Sequence, residues 1–596
     1  MPFGAELTAT GEVRFRLWAP AAQRVELLLC EPSGATALAA PLQSLPDGWF
    51  ALETGAAGAG SLYRYRIDGK HEVPDPASRC NPQGVHGPSE VIDPLAYPWE
   101  DGAWRAPPWH AAVLYELHVG TFNRPGTYAA VAARLAHLKR LGVTAIELMP
   151  LAAFPGARNW GYDGVLPFAP QVSYGRPEEL KALIVAAHDH GLAVLLDVVY
   201  NHFGPEGNYL HLYAPQFFDA RHQTPWGAAI NFDGAGSRTV RDFFIHNARY
   251  WLEEYHVDGL RLDAIHAVHD GSEPHIVREL AAAARRRAGN GRGIYLTLEN
   301  LHNTAAFLGP EGAPDRCDAQ WNDDAHHCLH VLLTGETQEY YADYAEQPAR
   351  LLGRALAEGF AYQGEHSRCG GGARGERSAH LPPSAFIDFL QNHDQVGNRP
   401  RGERLSQLLQ EPAALRAASA LVLLAPQPPL LFMGEEWAAP EPFPWFCDFE
   451  PQLLARIRAQ RAREVPDAPD PGAVATWAAA QLDWSVLRQS AHARMLTHHR
   501  RLLTIRRRDI VPLLPHIGAG RCCGVLESGA LAVDWTAGHK VLHLLANLAA
   551  APAPLPAPAA GRVLFATHPG VRSTLARHEL PAWSVLWLLE QRRDAI

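Results

Sequence analysis

The segment PEELKALIVAAHDHGLAVLLDVVYNH, residues 177–202, contains the pattern that decides the fold. It begins with Pro177, a residue favoured in the first turn of a helix, and its first half ends at Gly191, a residue typical of helix ends. After this glycine, LAVLLDVV is apolar almost throughout, which is typical of a strand covered on both faces. The segment therefore predicts a helix followed by a buried parallel strand.

The same alternation extends in both directions along the chain. The other strand candidates, counted from residue 113, are VLYELHV, VTAIELMP, GLRLD, IYLTLEN, CDAQWND, AFIDFLQNHD and PLLFMGEEW. Helical segments lie between most of them; in the one before GLRLD, Val240, Phe244, Ala248 and Trp251 recur at the spacing of one helix face. Eight strands that alternate with helices predict an α/β fold, a closed (β/α)₈ TIM barrel.

The chain on either side of the barrel has the pattern of β structure. The segments that indicate strands are EVRFRLWAP, RVELLLC and LYRYRIDG before the barrel, and GVLESGALAVDW, KVLHLLANL, GRVLFAT and AWSVLWLLE after it. We predict three domains: an N-terminal β-sandwich over residues 1–98, the barrel with inserted loops over 99–510, and an antiparallel β domain over 511–596.

Composition argues against several classes of protein. The net charge of −10 disfavours nucleic acid or an anionic membrane surface as a partner. The sequence has no apolar run of about 18 residues, so we expect no membrane span, and its N-terminus lacks the pattern of a signal peptide. The 8 cysteines form no CxxC pair, and the adjacent Cys522 and Cys523 suit neither a metal site nor an easy disulfide. We therefore predict reduced thiols in a cytoplasmic protein.

Polar and charged residues follow several predicted strands at their carboxyl ends, where TIM barrels place their active sites. In chain order they are Tyr162 and Asp163 of NWGYDG, Asp197, Asn201 and His202 of LAVLLDVVYNH, Arg261, Asp263 and His266 of GLRLDAIH, Glu299 of IYLTLEN, and His393 and Asp394 of FIDFLQNHD. A single aspartate at a strand end is usually a cap or turn residue. Four strands that bring carboxylates to one rim indicate a catalytic site instead.

Such a set suits glycoside hydrolysis. A retaining glycosidase needs a nucleophilic carboxylate and, about 5–5.5 Å away, a carboxyl group that acts first as acid and then as base. Strand alternation places Arg261 beside Asp263, so we expect the arginine to lower the pKa of that carboxyl and keep it ionised. Glu299 should have a raised pKa in a less polar pocket, with which Leu296 and Leu298 are compatible.

The motifs DVVYNH, GLRLDAIH, LEN after a strand, and NHD are similar, in order and separation, to the four signature regions of the α-amylase superfamily of glycoside hydrolases. The resemblance implies that Asp263 is the nucleophile, Glu299 the general acid/base and Asp394 the carboxylate that stabilises the transition state. It also implies contacts around the −1 sugar for Arg261, His202 and His393, a stacking ring for Tyr162, and structural support for Asp197.

Longer motifs narrow the resemblance to one family within this superfamily. GPEGNYL, TPWGAAINFDG, QWNDDAHHCLHVLLTGETQEYY, GFAYQGEHS and FIDFLQNHDQVGNRPRGERL look like the maltooligosyltrehalose trehalohydrolase family over essentially the whole chain. The N-terminal domain resembles the carbohydrate-binding, E-set-like domains of these and of branching and debranching enzymes. The resemblance implies cleavage of the α-1,4 bond next to the terminal trehalose of maltooligosyl trehalose, with maltooligosyltrehalose synthase as the partner in trehalose biosynthesis. His266, Asp270 and the TQEYY region are candidates for binding the trehalose unit.

Two alternatives remain open on the sequence alone. A glycogen branching or debranching enzyme would share the four short regions and act on plain α-glucans. A non-catalytic glucan-binding protein would use a barrel without activity, which the intact set of three carboxylates disfavours. We expect no cofactor and no metal, because CGGGARG lacks the context of a phosphate loop and His326, His327 and His330 lack a carboxylate-rich calcium loop.

Overall fold

The computed structural model describes residues 1–224, 227–287, 292–525, 529–555, 560–568, 570 and 578–592. The side chains of residues 287, 519–523 and 525 lie outside this description. The predictions for the thiols of Cys522 and Cys523 therefore lie outside it too.

Eight parallel strands close into a barrel in chain order, as the apolar segments predicted. The strands are β1 (Leu114–Leu117), β2 (Ala145–Leu148), β3 (Ala193–Val198), β4 (Gly259–Leu262), β5 (Tyr295–Leu298), β6 (Ala319–Trp321), β7 (Phe386–Phe389) and β8 (Pro429–Phe432). All are buried on both faces, since helices cover the outside and side chains fill the inside. The predicted TIM barrel is confirmed.

Helices surround the barrel and extend into its loops. The α-helices are Tyr128–Ala132, Leu135–Leu141, Pro177–Asp189, Ser237–Glu254, Ile276–Arg287, Asp323–Thr334, Pro348–Glu358, His393–Gly397, Leu405–Leu408, Pro412–Leu424, Pro451–Glu464, Val474–Ala479 and Ser490–Ile505. The segment from Thr127 to Gly142 forms two helices, because the chain turns at Ala133 and Arg134. Gly142 ends the second helix with φ at 112°, a left-handed conformation that favours glycine.

The interior of the barrel is divided into an apolar floor and a polar upper layer. The floor is a cluster of buried side chains that includes Leu114, Leu195, Tyr295, Trp321, Ile387 and Leu430. Above the floor, register pairs Glu116 with Glu147 and Arg261 with Thr297. Paired residues of neighbouring strands face the same side of a sheet, so this layer lies directly under the carboxyl ends of the strands.

Two sheets form the predicted N-terminal sandwich. Their strands are Gly4–Leu7, Val13–Trp18, Trp49–Thr54 and Gln43–Ser44 in one sheet, and Thr36–Pro41, Val25–Cys30, Leu62–Ile67, His71–Val73 and Ser89–Glu90 in the other. The segment between His71–Val73 and Ser89–Glu90 contacts the barrel through Arg79, which forms a largely buried ion pair of 3.1 Å with Glu254.

The C-terminal region is an antiparallel five-stranded sheet, as predicted. Its strands, in sheet order, are Ile517–Val525, Leu531–Ala537, Lys540–Asn547, Ser584–Gln591 and Arg562–Ala566. Trp535 and Trp587 stack on each other, and their ring nitrogens donate to the Leu356 and Ala420 carbonyls of two barrel helices. This sheet therefore packs against the barrel, while the domain boundaries at residues 98 and 510 stay a prediction.

Short two-stranded sheets extend the loops of the barrel and of the C-terminal region. They are Ala152–Ala153 with Leu166–Pro170, Phe218–Thr224 with Gly227–Ile230, Glu365–Ser367 with Gly372–Arg374, and Ala553–Pro554 with Glu579–Leu580. Within the described ranges, no helix is both long enough and apolar enough to span a bilayer.

Candidate active site

Arg261 lies at the centre of the polar layer and binds three carboxyl groups. Its Nη1 donates to Asp197 at 2.7 Å and to Asp263 at 2.8 Å, and its Nη2 donates to Glu299 at 2.7 Å. The side chain is fully buried, and its guanidinium carbon lies 4.1 Å from the centroid of the Trp321 ring. One planar, permanently charged group thus fixes carboxyl groups from three neighbouring strands.

Asp263 follows β4, and its neighbours favour the ionised form of its carboxyl group. Burial raises the pKa of this carboxyl, but the charge of Arg261, a hydrogen bond from Asn201 and the nearby His202 outweigh burial and bring the pKa below its usual value. The Nδ2 atom of Asn201 donates to the Asp263 side chain at 2.8 Å and to its backbone carbonyl at 2.9 Å. These contacts leave the carboxylate oriented and charged at neutral pH.

Glu299 follows β5, and its surroundings favour the protonated form of its carboxyl group. Burial raises its pKa well above the usual value; Arg261 opposes this, while Asp263 and Asp394 add to it. The Ala264 backbone N–H also donates to Glu299 at 3.0 Å, from a residue with φ at +41°. A left-handed alanine is strained, which is common where a backbone is fixed for function.

Burial is the main cause of the raised pKa of Glu299, as expected for a less polar pocket, but the two leucines that the sequence suggested do not provide it. Arg261 pairs in register with Thr297, so Thr297 and Glu299 face the barrel interior. Leu296 and Leu298 face the opposite side and pack in the larger hydrophobic core. Burial and neighbouring carboxylates raise the pKa of Glu299, and these two leucines do not line its pocket.

His393 and Asp394 follow β7 beside the same rim. Asp394 is the most open of the three proposed catalytic carboxyl groups, with 35% of its side chain exposed, and its Oδ1 lies 3.4 Å from His393 Nε2. The Tyr162 ring stacks on the His393 ring with centroids 4.9 Å apart, and its hydroxyl donates to Asp197 at 2.6 Å. An aromatic wall therefore stands beside the carboxyl groups.

His202 and Asp197 support this arrangement from β3. His202 Nε2 lies 3.0 Å from the Tyr162 carbonyl, and its Nδ1 contacts the Asn201 side chain. Burial raises the pKa of Asp197 to about 6 even beside Arg261. The structure thus brings together Asp197, Tyr162, His202, Arg261, Asp263, Glu299, His393 and Asp394, as the sequence predicted, while their roles remain predictions.

A pocket of about 560 Å³ opens beside Glu299 and Asp394. Its walls come from the loops that follow β4 to β7 and from the two-stranded sheet of Glu365–Ser367 and Gly372–Arg374. The lining residues are His266, Glu299, Leu301, His302, Asp323, His327, Tyr340, Asp343, Ser367, Cys369, Gly370, Gly372, Ala373, Arg374, Asp394, Gln395 and Asn398. Polar groups around an open cleft of this volume suit a small polar ligand.

Two of the three candidates for binding the trehalose unit lie in this pocket, and the third does not. His266 lines the pocket, and Tyr340 of the TQEYY region does so too. The Asp270 side chain is fully buried, where its carboxylate accepts from Arg241 at 2.7 Å, from Ile276 N–H at 2.6 Å and from Ser272. Its oxygens are committed to anchoring the loop after β4, so the suggestion that Asp270 contacts the sugar is not supported.

The three histidines of the QWNDDAHHCLH segment make different contacts. His326 Nδ1 lies 2.8 Å from the Leu390 carbonyl, and His330 Nε2 lies 2.8 Å from Glu336. His327 lines the pocket, and burial holds its pKa well below the usual value. Over the described ranges, no group of three or more His, Cys, Asp or Glu side chains has the geometry of a metal site.

Sequence reasoning missed two residues that contact the predicted set. Trp321 lies under the Arg261 guanidinium, and Glu116 of β1 accepts from both the backbone N–H and the ring of His393. A glutamate inside the apolar strand LYELHV was the available signal, because a buried carboxylate needs a partner.

Comparisons with known proteins agree with this arrangement. The chain matches three protein families: carbohydrate-binding module 48 (isoamylase N-terminal domain) over residues 2–96, alpha amylase, catalytic domain, over 79–223, and a domain of unknown function (DUF3459) over 519–587.

Two relatives and one solved structure extend the likeness over most of the chain. The malto-oligosyltrehalose trehalohydrolase of Saccharolobus solfataricus is 41% identical over 487 residues, which are 82% of this chain and 84% of that protein. The enzyme of the same name from Rhizobium sp. (strain M-11) is 38% identical over 98% of both chains. The structure of a candidate alpha amylase from Salmonella typhimurium has 42% identity and a TM-score of 0.93, with 99% of each chain covered.

Proposed function

The chain belongs to the malto-oligosyltrehalose trehalohydrolase family of α-amylase-type glycoside hydrolases, and from this premise we propose how its site works. The enzyme hydrolyses the α-1,4-glucosidic bond next to the terminal trehalose unit of maltooligosyl trehalose and releases free trehalose. The observation that carries the proposal is that one guanidinium, that of Arg261, donates both to Asp263 at 2.8 Å and to Glu299 at 2.7 Å. The pKa of Asp263 lies below its usual value and that of Glu299 above it, which suits a nucleophile and an acid.

In the first step, the Asp263 carboxylate attacks the anomeric carbon of the −1 glucose. Glu299 donates its proton to the glycosidic oxygen, so the bond to the trehalose unit breaks and the sugar becomes covalently bound to Asp263. Arg261 contacts both groups, so one guanidinium bridges them. Such a bridge supports retaining hydrolysis, which needs the two carboxyl groups close together, about 5–5.5 Å apart.

In the second step, Glu299 acts as a base. It takes a proton from water, whose oxygen attacks the anomeric carbon, and the bond to Asp263 breaks to restore the free carboxylate. Two displacements on the same carbon retain the α configuration. Asp394 and His393 bind hydroxyls of the −1 sugar and favour its distortion, while the Tyr162 ring stacks against that sugar.

The trehalose unit occupies the pocket beyond Glu299, at subsites +1 and +2. The volume of about 560 Å³ falls within the range of about 300–1,000 Å³ that is usual for small ligands. Leu301 and Tyr340 offer apolar surface, and Asp323, Arg374 and Gln395 offer hydrogen-bonding groups. An ordinary glucan end would leave some of these groups unpaired, which lowers its rate.

A product assay tests this function. Purified protein is expected to convert maltotriosyl trehalose into free trehalose and maltotriose, and to attack maltopentaose and amylopectin at least about tenfold more slowly, because plain glucans leave pocket groups unpaired. Chromatographic separation of the released sugars measures both rates. The Asp263→Asn variant supplies the blank for contaminating hydrolases.

Two results of this assay contradict the proposal in different ways. Attack on amylopectin at an equal or higher rate, without free trehalose, indicates a branching or debranching enzyme. Binding of the glucans without turnover of any of them indicates a glucan-binding protein.

The dependence of kcat/KM on pH is a second test. Activity requires Asp263 ionised and Glu299 protonated, so the rate should fall at low pH with the lowered pKa and at high pH with the raised one. We expect a broad profile whose plateau includes neutral pH. The two groups interact, so the profile gives apparent pKa values of the pair. A rate that declines steadily from pH 4 to 7 contradicts a protonated Glu299.

We also propose a cytoplasmic location and a supply of substrate by a maltooligosyltrehalose synthase. The reduced thiols expected from the cysteine pattern support the location. Cell fractionation tests it, and recovery of the activity outside the cytoplasm counts against it. Deletion of the synthase tests the supply, since trehalose formation that persists without it requires another source.

A further inference from the structure

Among the side chains that the structure describes, Glu116 is the residue of β1 that contacts His393, a member of the predicted site. Its Oε1 accepts from His393 Nδ1 at 2.5 Å, and its Oε2 accepts from the His393 backbone N–H at 3.0 Å. Both side chains are 1% exposed. The carboxylate therefore fixes the ring and the backbone of His393 at once, which no single-atom contact could do.

The other ring nitrogen of His393 faces the substrate side. Nε2 lies 3.4 Å from Asp394 Oδ1, so the imidazole stands between two carboxylates, one at each nitrogen. Carboxylates only accept hydrogen bonds when ionised, and the ring can donate from both nitrogens only when it carries both protons. We propose that Glu116 is a positioning residue that keeps His393 as an imidazolium whose Nε2 donates toward Asp394 and the −1 sugar.

Glu147 of β2 is the neighbour of Glu116 in the barrel, with which it pairs in register. Burial raises the pKa of Glu147 well above its usual value, and Glu116 adds to this rise. Neither oxygen of Glu147 has a protein partner in the described part of the chain. The surroundings of Glu147 therefore favour its protonated form, and Glu116 is the carboxyl group of the two that contacts His393.

Some groups around His393 raise its pKa and others lower it. Burial lowers its pKa, yet Asp394 and Glu116 outweigh burial and bring the value to about 9, against the opposing charge of Arg261. The titratable and charged groups that face the ring or interact with it from the packed elements are Glu116, His118, Glu147, Tyr162, Asp197, Arg261, Asp263 and Asp394. Of these, Glu116 is the negative group in direct contact at Nδ1.

This inference rests on the proposed function in one respect, the use of the imidazolium to bind the −1 sugar. On its own, it predicts a property of the resting protein, namely a His393 ring that stays doubly protonated through neutral pH. The imidazolium can therefore be absent while the hydrolase proposal stands, and it can be present even if the hydrolase proposal fails.

Histidine NMR of the full chain provides the test. In protein labelled at histidine Cε1, the His393 resonance is the one absent from the His393→Asn variant. We expect it to remain that of an imidazolium up to a pKa of about 9 in the parent protein. In Glu116→Gln it should titrate at least about one pH unit lower, because the amide removes the charge but keeps the shape.

Glu147→Gln is the matched control. It changes an equally buried glutamate of the same layer, but one that is already neutral, so the His393 titration should stay within about 0.3 pH units of the parent. Kinetics on maltotriosyl trehalose should follow the NMR: for a shift of one pH unit, Glu116→Gln should lose about twofold in kcat/KM near pH 8, more for a larger shift, and much less near pH 5.5, where the ring is protonated in either protein.

Three results overturn the proposal. One is a His393 ring that is neutral at pH 7 in the parent protein, a result that does not depend on any change at Glu116. Another is an unchanged His393 titration in Glu116→Gln. The third is a loss of activity in Glu116→Gln that is equal at all pH values, which indicates a purely structural role.

Discussion

Replacement of Asp263 by Asn is expected to lower kcat by about 10⁴-fold or more, which is the usual scale for removing a catalytic nucleophile. The amide keeps the size of the side chain and one oxygen that can accept from Arg261, while its NH2 group replaces the oxygen that accepts from Asn201. It cannot form the covalent intermediate, however. The fold should therefore survive, and we expect a thermal midpoint close to that of the parent protein.

Two measurements separate this role from a general loss of structure. With a fluorinated substrate that slows the second step, mass spectrometry of the parent protein should find the sugar on the peptide that contains Asp263. Addition of azide to the Asp263→Asn variant should restore part of the rate and yield a β-glycosyl azide, since a small anion can replace the carboxylate. A variant that keeps more than about one tenth of the parent kcat would show that Asp263 is not the nucleophile.

The sequence was sufficient to predict the barrel and its rim, for a physical reason. Strands that are covered on both faces must be apolar throughout, so eight such segments were visible, and the polar residues at the ends of several of them stood out. Asp197 near the end of β3, and Asp263, Glu299 and Asp394 after β4, β5 and β7, lie at one rim in the structure. Local pattern and global fold agree at these positions.

Other features depend on contacts between distant segments, which a local pattern cannot contain. Asp270 follows β4 within reach of the site, yet Arg241, from the preceding helix, turns it into a buried anchor. Glu116 and His393 are 277 residues apart in sequence, so only the closure of the barrel, in which β8 pairs with β1, reveals their pairing. The pocket walls come from the loops after β4 to β7, whose shape has no simple periodicity.

Replacement of Arg261 by Met is expected to remove most of the activity and to destabilise the barrel. The variant leaves Asp197, Asp263 and Glu299 buried without their shared cation, and the loss of one partner of a buried ion pair costs about 3–5 kcal/mol. Without Arg261, only the Asn201 hydrogen bond and the nearby histidines oppose the effect of burial on the pKa of Asp263, so the nucleophile is protonated over more of the pH range. We expect at least about a 10³-fold loss of kcat/KM at neutral pH.

The pH profile and a matched variant distinguish the catalytic effect from the structural one. In Arg261→Met, the residual activity should rise with pH through a limb that lies higher than in the parent protein, because Asp263 must first lose its proton. Arg79→Met is the control, since it also removes a buried arginine from a carboxylate, Glu254, at the contact of the N-terminal region with the barrel. This control should lower the thermal midpoint yet keep the parent kcat and pH profile well below that temperature. If both variants lose activity only in proportion to their loss of folded protein, Arg261 is a structural residue, and another group must keep Asp263 ionised.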